Sequence, residues 1–193
     1  GNPDWTKWFV DSATLRSDMQ GNGRQYELNA RAKDKTGAYS SAYSTITFIY
    51  DNTPPQTALT VPASGNNVFI TTLSYIAGTL ADNVAPGVNP GAVSKVYVKF
   101  FSFQDNGYWN TSNWVANYTL QSDAGQVNVY ASSWTIIQSL PPLVSGASYY
   151  LTSSGIDNAA GGGNQEAWNS VRGSTFTFDN SGPTVTIGNP GGT

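Results

Sequence analysis

Cysteine and histidine are both missing from the 193 residues, and charge is scarce, with nine Lys and Arg and 12 Asp and Glu making up 11 % of the chain. Without cysteine there is no disulfide framework, no thiolate nucleophile and no Cys-type zinc site. That absence suits a reducing cytosol and a bacterial surface equally. Without histidine the chain lacks the usual neutral-pH proton shuttle and the commonest transition-metal ligand. No nucleophile elbow, phosphate loop or paired-carboxylate motif takes their place, so the reading is not an enzyme. The net charge is −3 and the cations are scattered. A phosphate backbone needs a basic footprint, so no nucleic acid is expected as a partner. No apolar run approaches the roughly 18–20 residues of a spanning helix, so no membrane insertion is expected. Gly1-Asn2-Pro3-Asp4 is no signal peptide, which places any export signal outside this segment.

What is abundant is small and polar: 21 Ser, 20 Thr and 18 Asn. Hydroxyls and amides, rather than ions, keep this surface wet. Aromatics are also high, at 13 %. Their placement is period-2. Tyr26 to Ala32, Thr45 to Tyr50, Lys95 to Phe101 and Ser174 to Phe178 alternate apolar with polar side chains, punctuated by Gly, Pro, Asn and Asp. Alternation of Val, Thr, Tyr and Phe fits a half-buried pleated surface, and no window carries a capped helical stripe. Ser12 to Gln20 reads as strand and loop. The fold class is all-β.

An internal repeat organises the chain. Trp5-Thr6 aligns with Trp134-Thr135, Tyr26 with Tyr149, and Asp34 with Asp157, each aspartate eight residues past its tyrosine. Thr45-Ile46-Thr47-Phe48 aligns with Thr175-Phe176-Thr177-Phe178. Asp51-Asn52-Thr53-Pro54-Pro55 matches Asp179-Asn180-Ser181-Gly182-Pro183 and marks a junction that proline stiffens. Residues 52–180 are then one complete sandwich-sized unit of seven to nine short strands. Residues 1–51 are the second half of an earlier copy, and 181–193 are the first strand of a following one or a linker.

Ile76-Ala77-Gly78-Thr79-Leu80-Ala81-Asp82, Gly107-Tyr108-Trp109-Asn110, Tyr26 to Gly37 and the Asp-Asn-Thr-Pro junction resemble the bacterial immunoglobulin-like repeats of large secreted and cell-surface proteins. The resemblance implies immunoglobulin-like β-sandwich repeats in tandem, at an extracellular or cell-surface location. It implies a structural role as spacer, stalk, or filament or sheath component. The partners it implies are neighbouring repeats of the same polypeptide or identical chains end to end. The sequence departs from the pattern at a longer Gly-rich loop, Ala159 to Gln165.

Two constellations carry chemistry. In an immunoglobulin-like sandwich, the loops after the second and sixth strands lie where the preceding domain attaches. Asp82-Asn83 and Asp157-Asn158 follow those strands, and Asp51-Asn52 is the incoming junction. Asp51, Asp82 and Asp157 therefore converge, and their hard oxygens suit calcium. The same Asx residues also suit plain turns. Tyr108, Trp109 and Trp114 form an aromatic hairpin over 107–115. It reads either as packing or, alternatively, as the stacking face of a glycan- or ligand-binding adhesion module. Lys95 or Lys99 with Asn180 and Glu166 supply the ingredients of an isopeptide crosslink, against the plainer reading of solvated strand lysines. The sequons at Asn110 and Asn117 are chance matches in a bacterial setting.

The half unit needs a cover for its apolar face of Trp8, Leu15, Tyr26, Leu28, Ile46 and Phe48. Thr184 to Gly188 alternates like a strand with no partner in its own chain. Either it docks on the 1–51 half of a neighbour, or the chain is a slice of a longer repeat protein.

Overall fold

The computed structural model describes residues 19, 21–63, 65–82, 91–168 and 171–188. Trp5, Trp8 and Leu15 lie outside them, as does most of Ser12 to Gln20. The described residues form strands and no helix: β1 (Arg24–Ala30), β2 (Ser44–Tyr50), β3 (Gln56–Val61), β4 (Gly65–Ile70), β5 (Ile76–Ala81), β6 (Val93–Ser102) and β7 (Gly107–Trp109). There follow β8 (Trp114–Val115), β9 (Leu120–Gln121), β10 (Asn128–Val129), β11 (Ser133–Ile136), β12 (Ser148–Asp157) and β13 (Ser174–Phe178). Eleven strands thus fall between 56 and 178, more than the seven to nine expected. The surplus is the set of two- and three-residue pairings β7 to β10, too short to leave an alternating signature.

One sheet runs β10-β11-β5-β3. The larger runs β4-β13-β12-β6-β7-β8, with β9 also pairing β6. All pairs are antiparallel except β13 with β4. Both sheets turn their apolar parity into one core, the arrangement of a β-sandwich. Leu59, Ile76, Leu80, Trp134 and Ile136 come from the smaller sheet, and Val96, Val98, Phe100, Tyr149, Leu151 and Phe176 from the larger. Each such burial contributes about 1.5–3 kcal/mol relative to exposure. Phe100, Tyr149 and Phe176 interlock at ring separations of 5.4–6.2 Å. Trp134 fills the space that Gly78 leaves: a Cβ there would strike the indole and the Ala58 carbonyl.

β3 is an edge strand, yet its outward backbone is not left bare. Glu166, 5 % exposed, accepts the Thr57 N–H at 3.0 and 3.1 Å, the Thr57 hydroxyl at 2.7 Å and the Gly155 N–H at 3.0 Å. Arg172 pairs with the same carboxylate and donates through Nε to the Thr57 carbonyl at 2.9 Å. The Leu59 N–H bonds the Arg172 carbonyl. Glu166 and Arg172 thus occupy the place of a further strand beside β3, closing an edge that would otherwise invite pairing.

β1 and β2 form a separate hairpin, with Tyr26 opposite Phe48 and Leu28 opposite Ile46. Its hydrogen-bond pattern is that of β12 and its following loop. Asp34 N bonds Ala38 O, Ser40 N bonds Ala32 O, and Lys33 bridges Tyr39. In the same places, Asp157 N bonds Asn164 O, Glu166 N bonds Gly155 O, and Ile156 bridges Gln165. The ladders also correct the strand alignment by two residues. Because Tyr149 faces Phe176, Phe48 corresponds to Phe176 rather than to Phe178. A slip of two keeps every side chain on its own face, so alternation by itself does not detect it.

Thr184 to Gly188 is not a strand in the described chain: 181–188 lacks regular structure, with Val185 84 % and Ile187 89 % exposed. A segment with no neighbouring edge gains no ladder bonds to offset its ordering. On the β1–β2 hairpin, Tyr26 and Leu28 are half-buried, whereas Ile46 and Phe48 are exposed.

Three substitutions test this account. Glu166→Ala strands two backbone N–H groups and an arginine, and is expected to cost about 3–5 kcal/mol in urea unfolding. Gly78→Ala is expected to cost about 1–3 kcal/mol by overpacking against Trp134, while Gly182→Ala, in open space, stays near neutral. Equal midpoints for the two glycine variants would contradict the packing assigned to Trp134.

Candidate metal centre

Three strands end at one place. Asp51 follows β2 directly, Asp82 follows β5, and Asp157 is the last residue of β12. One carboxylate oxygen from each lies within 4.8 Å of the other two. The convergence expected from the sequence is therefore present in the geometry. Two oxygens on opposite sides of a Ca²⁺ are separated by about 4.6–5.2 Å, twice the usual Ca–O distance. The three carboxylates fit inside that span.

Asp157 and Asp51 are positioned by local hydrogen bonds. Asp157, 1 % exposed, accepts the Ala159 N–H at 2.9 Å and the Asn164 N–H at 2.7 Å on Oδ1. Its Oδ2 accepts Asn164 Nδ2 at 2.9 Å, and that same amide reaches the Asp51 carbonyl at 3.3 Å. Asp51 Oδ1 accepts the Thr53 N–H at 3.2 Å, an Asx turn, while its Oδ2 is buried with no hydrogen-bond partner among the described residues. The turn-forming and the cation-facing readings are thus combined in one residue: one oxygen holds the turn and the other faces the cluster.

Gly91 closes the site. A Cβ there would meet Asp82 Oδ2, come within 2.9 Å of Asp51 Oδ2 and within 3.3 Å of Asn158 Oδ1. Asn158 Oδ1, which accepts the Ala92 N–H at 3.0 Å, adds a neutral oxygen beside the carboxylates. The donor set is all oxygen, the kind that hard cations take and soft ones refuse. The ion pairs among the described residues, Lys95–Asp123 and Arg172–Glu166, lie elsewhere. Crowded carboxylates repel, and a divalent cation held between them would offset that repulsion.

The aromatic hairpin divides by strand parity. Trp109 is 6 % exposed, with its Nε1–H donated to the Ser139 carbonyl at 2.5 Å. Trp114 is half-buried, edge-on to Phe100 at 5.6 Å and stacked on Tyr149 at 5.9 Å. Both belong to the interior. Tyr108 lies on the opposite face, against Phe101 at 5.0 Å and under Lys99 Nζ at 5.6 Å. The isopeptide ingredients are not brought together. Lys95 pairs with Asp123, Glu166 is engaged by Arg172 and Thr57, and the Asn180 N–H bonds Ser145. The Glu166–Arg172 closure escapes sequence reading because two charges six residues apart in a loop form no known pattern.

No protein-family model matches the chain, and no curated protein matches it.

Asp179 is the sequence counterpart of Asp51, and its surroundings are hydroxyls rather than carboxylates. The Ser181 hydroxyl foremost, then the Ser181 N–H and the Ser145 hydroxyl, donate to it and hold its carboxyl below the ordinary value of 3.8. A lowered folded pKa means these bonds stabilise the fold above the ordinary value and are lost as pH falls through the lowered one. In an NMR titration the Asp179 carboxyl should titrate below ordinary aspartates, and Ser181→Ala should move it upward. An unmoved midpoint in that variant would refute the assigned cause.

Proposed function

We propose that this chain is a structural module of an extended extracellular array of immunoglobulin-like sandwiches in tandem, a spacer, stalk or filament component of a bacterial surface. Its joints are set by the carboxylate cluster. The observation that carries this reading is the position of Asp51. It belongs to the Asp-Asn-Thr-Pro-Pro junction that ends one unit, yet its side chain meets Asp82 and Asp157 of the next. Further support comes from the matched hydrogen bonds around Asp34 and Asp157 and from the second junction motif at Asp179.

The mechanism is mechanical. Each sandwich buries its own core, and a short proline-containing segment limits the angles between units. Calcium, when bound, would supply charge neutralisation across the joint. Asp51 brings the preceding unit to it, Asp82 and Asp157 bring the body of the sandwich, and the Asn164 amide holds Asp157 and the Asp51 carbonyl together. Loss of neutralisation leaves three close carboxylates to repel and the joint to loosen. The reading requires neighbouring repeats or end-to-end copies as partners.

Extracellular modules bind calcium with a Kd of about 10⁻⁴–10⁻³ M. At 10 mM CaCl₂, the 193-residue chain should gain roughly 1.4–2.7 kcal/mol, a melting-point rise of roughly 3–10 °C. Asp51→Asn and Asp82→Asn should each abolish most of that rise, and small-angle scattering should show a narrower size distribution with calcium than with EDTA. A wild-type chain indifferent to calcium in both measurements would remove the joint from this reading.

A further inference from the structure

The outer face of the larger sheet carries a strip of rings around a lysine that forms no ion pair among the described residues. The outward positions of β6 include Lys99 and Phe101, and across the ladder Tyr108 faces Phe101. Phe101 meets Phe103 edge-on at 5.3 Å and Tyr108 at 5.0 Å. Lys99 Nζ lies 5.6 Å from the Tyr108 centroid and 4.6 Å from that of one further ring, Trp168. The strip is open to water at both ends, with Phe103 54 % and Trp168 38 % exposed. Cross-strand packing accounts for the Phe101–Tyr108 contact. It does not account for large apolar rings left wet at the ends.

Charge selects the occupant. Lys95, on the same strand, is neutralised by Asp123 at 3.1 Å, whereas Lys99 forms no ion pair among the described residues. We propose that this face binds an anionic polysaccharide, one bearing carboxylates or sulfates. The apolar faces of its sugar rings would stack on Trp168, Tyr108 and Phe103, and its acidic groups would meet Lys99. A polynucleotide would also stack on rings, but it bears a phosphate at every residue and calls for several cations in register; this face offers one among the described residues, in a chain of net charge −3, which suits a polysaccharide whose acidic groups are widely spaced. The proposal is independent of the carboxylate joint, so Asp82→Asn is expected to leave it unchanged.

Affinity electrophoresis of the 193-residue chain tests it, with two sparsely charged acidic polysaccharides (hyaluronan and highly methyl-esterified pectin), neutral dextran or oligo(dT) cast in the gel. The acidic polysaccharides should retard the wild type, and Trp168→Ala and Lys99→Gln should each weaken that retardation about tenfold, the effect of losing one stacking or charged contact. Dextran and oligo(dT) should retard neither protein. Melting curves verify that each variant is folded; if Trp168→Ala is not, Phe103→Ser is read in its place. Four results would overturn the proposal. They are no retardation by either acidic polysaccharide, retardation unchanged in the folded variants, equal retardation by dextran, and equal retardation by oligo(dT), which would assign the face to nucleic acid.

Discussion

The Glu166 carboxylate closes the open edge of β3, and much of the molecule depends on that closure. Its acceptors take up the Thr57 and Gly155 N–H groups, so β3 of the smaller sheet and β12 of the larger one are tied at a single buried charge. Arg172 neutralises that charge and occupies the remaining Thr57 carbonyl. Thr57 lies six residues after Asp51, and Gly155 two before Asp157. The edge closure and two of the three clustered carboxylates therefore lie on the same two stretches of chain. A buried ion pair need not stabilise more than an apolar substitute would, but removing one partner leaves a desolvated charge. Its contribution is geometric: it sets where β3 begins.

Scarcity of charge sharpens the meaning of the charges that remain. On a surface made soluble by Ser, Thr and Asn, an ion pair or an unpaired ammonium is not background. Glu166 and Arg172 seal an edge, three aspartates crowd one end, and Lys99 stands among rings. The two faces of the larger sheet divide the aromatic residues in the same economical way. Inward parity supplies Phe100, Tyr149 and Phe176 to the core, while outward parity leaves Phe101, Tyr108 and Phe103 in contact with solvent. A joint at a strand end and a surface on a sheet face can coexist without sharing a residue.

Sequence reading succeeded where the physics is local or has a fixed period. The alternation at 95–101 and 174–178 marked β6 and β13, and Asx pairs marked the ends of β5 and β12, where Asp82 and Asp157 stand. It went astray where two arrangements share the same local pattern. Phe48 was aligned with Phe178 because a two-residue slip conserves facing, and only the ladder of Tyr149 with Phe176 resolves it. Thr184 to Gly188 is a different case: it alternates like a strand but was expected to lack a partner in its own chain, and it has no regular structure in the described chain, because a strand is a relation between two segments. Trp109 and Tyr108 are neighbours in sequence but lie on opposite faces of β7, so treating them as one stacking surface merged an interior residue with an exterior one.

By itself the sequence determined the all-β class, the spacing of its turns and the recurrence of its junction motif. Those properties are set by period-2 facing, by backbone preference at Gly, Pro and Asx, and by short-range hydrogen bonds. Tertiary structure alone decided which edges are sealed, which rings remain wet and how close three aspartates come. Those outcomes require segments more than a hundred residues apart, Thr57 with Glu166 and Asp51 with Asn164, to meet within hydrogen-bond distance. No local propensity encodes a distance of that kind, because it is set by the packing of two sheets around a common core.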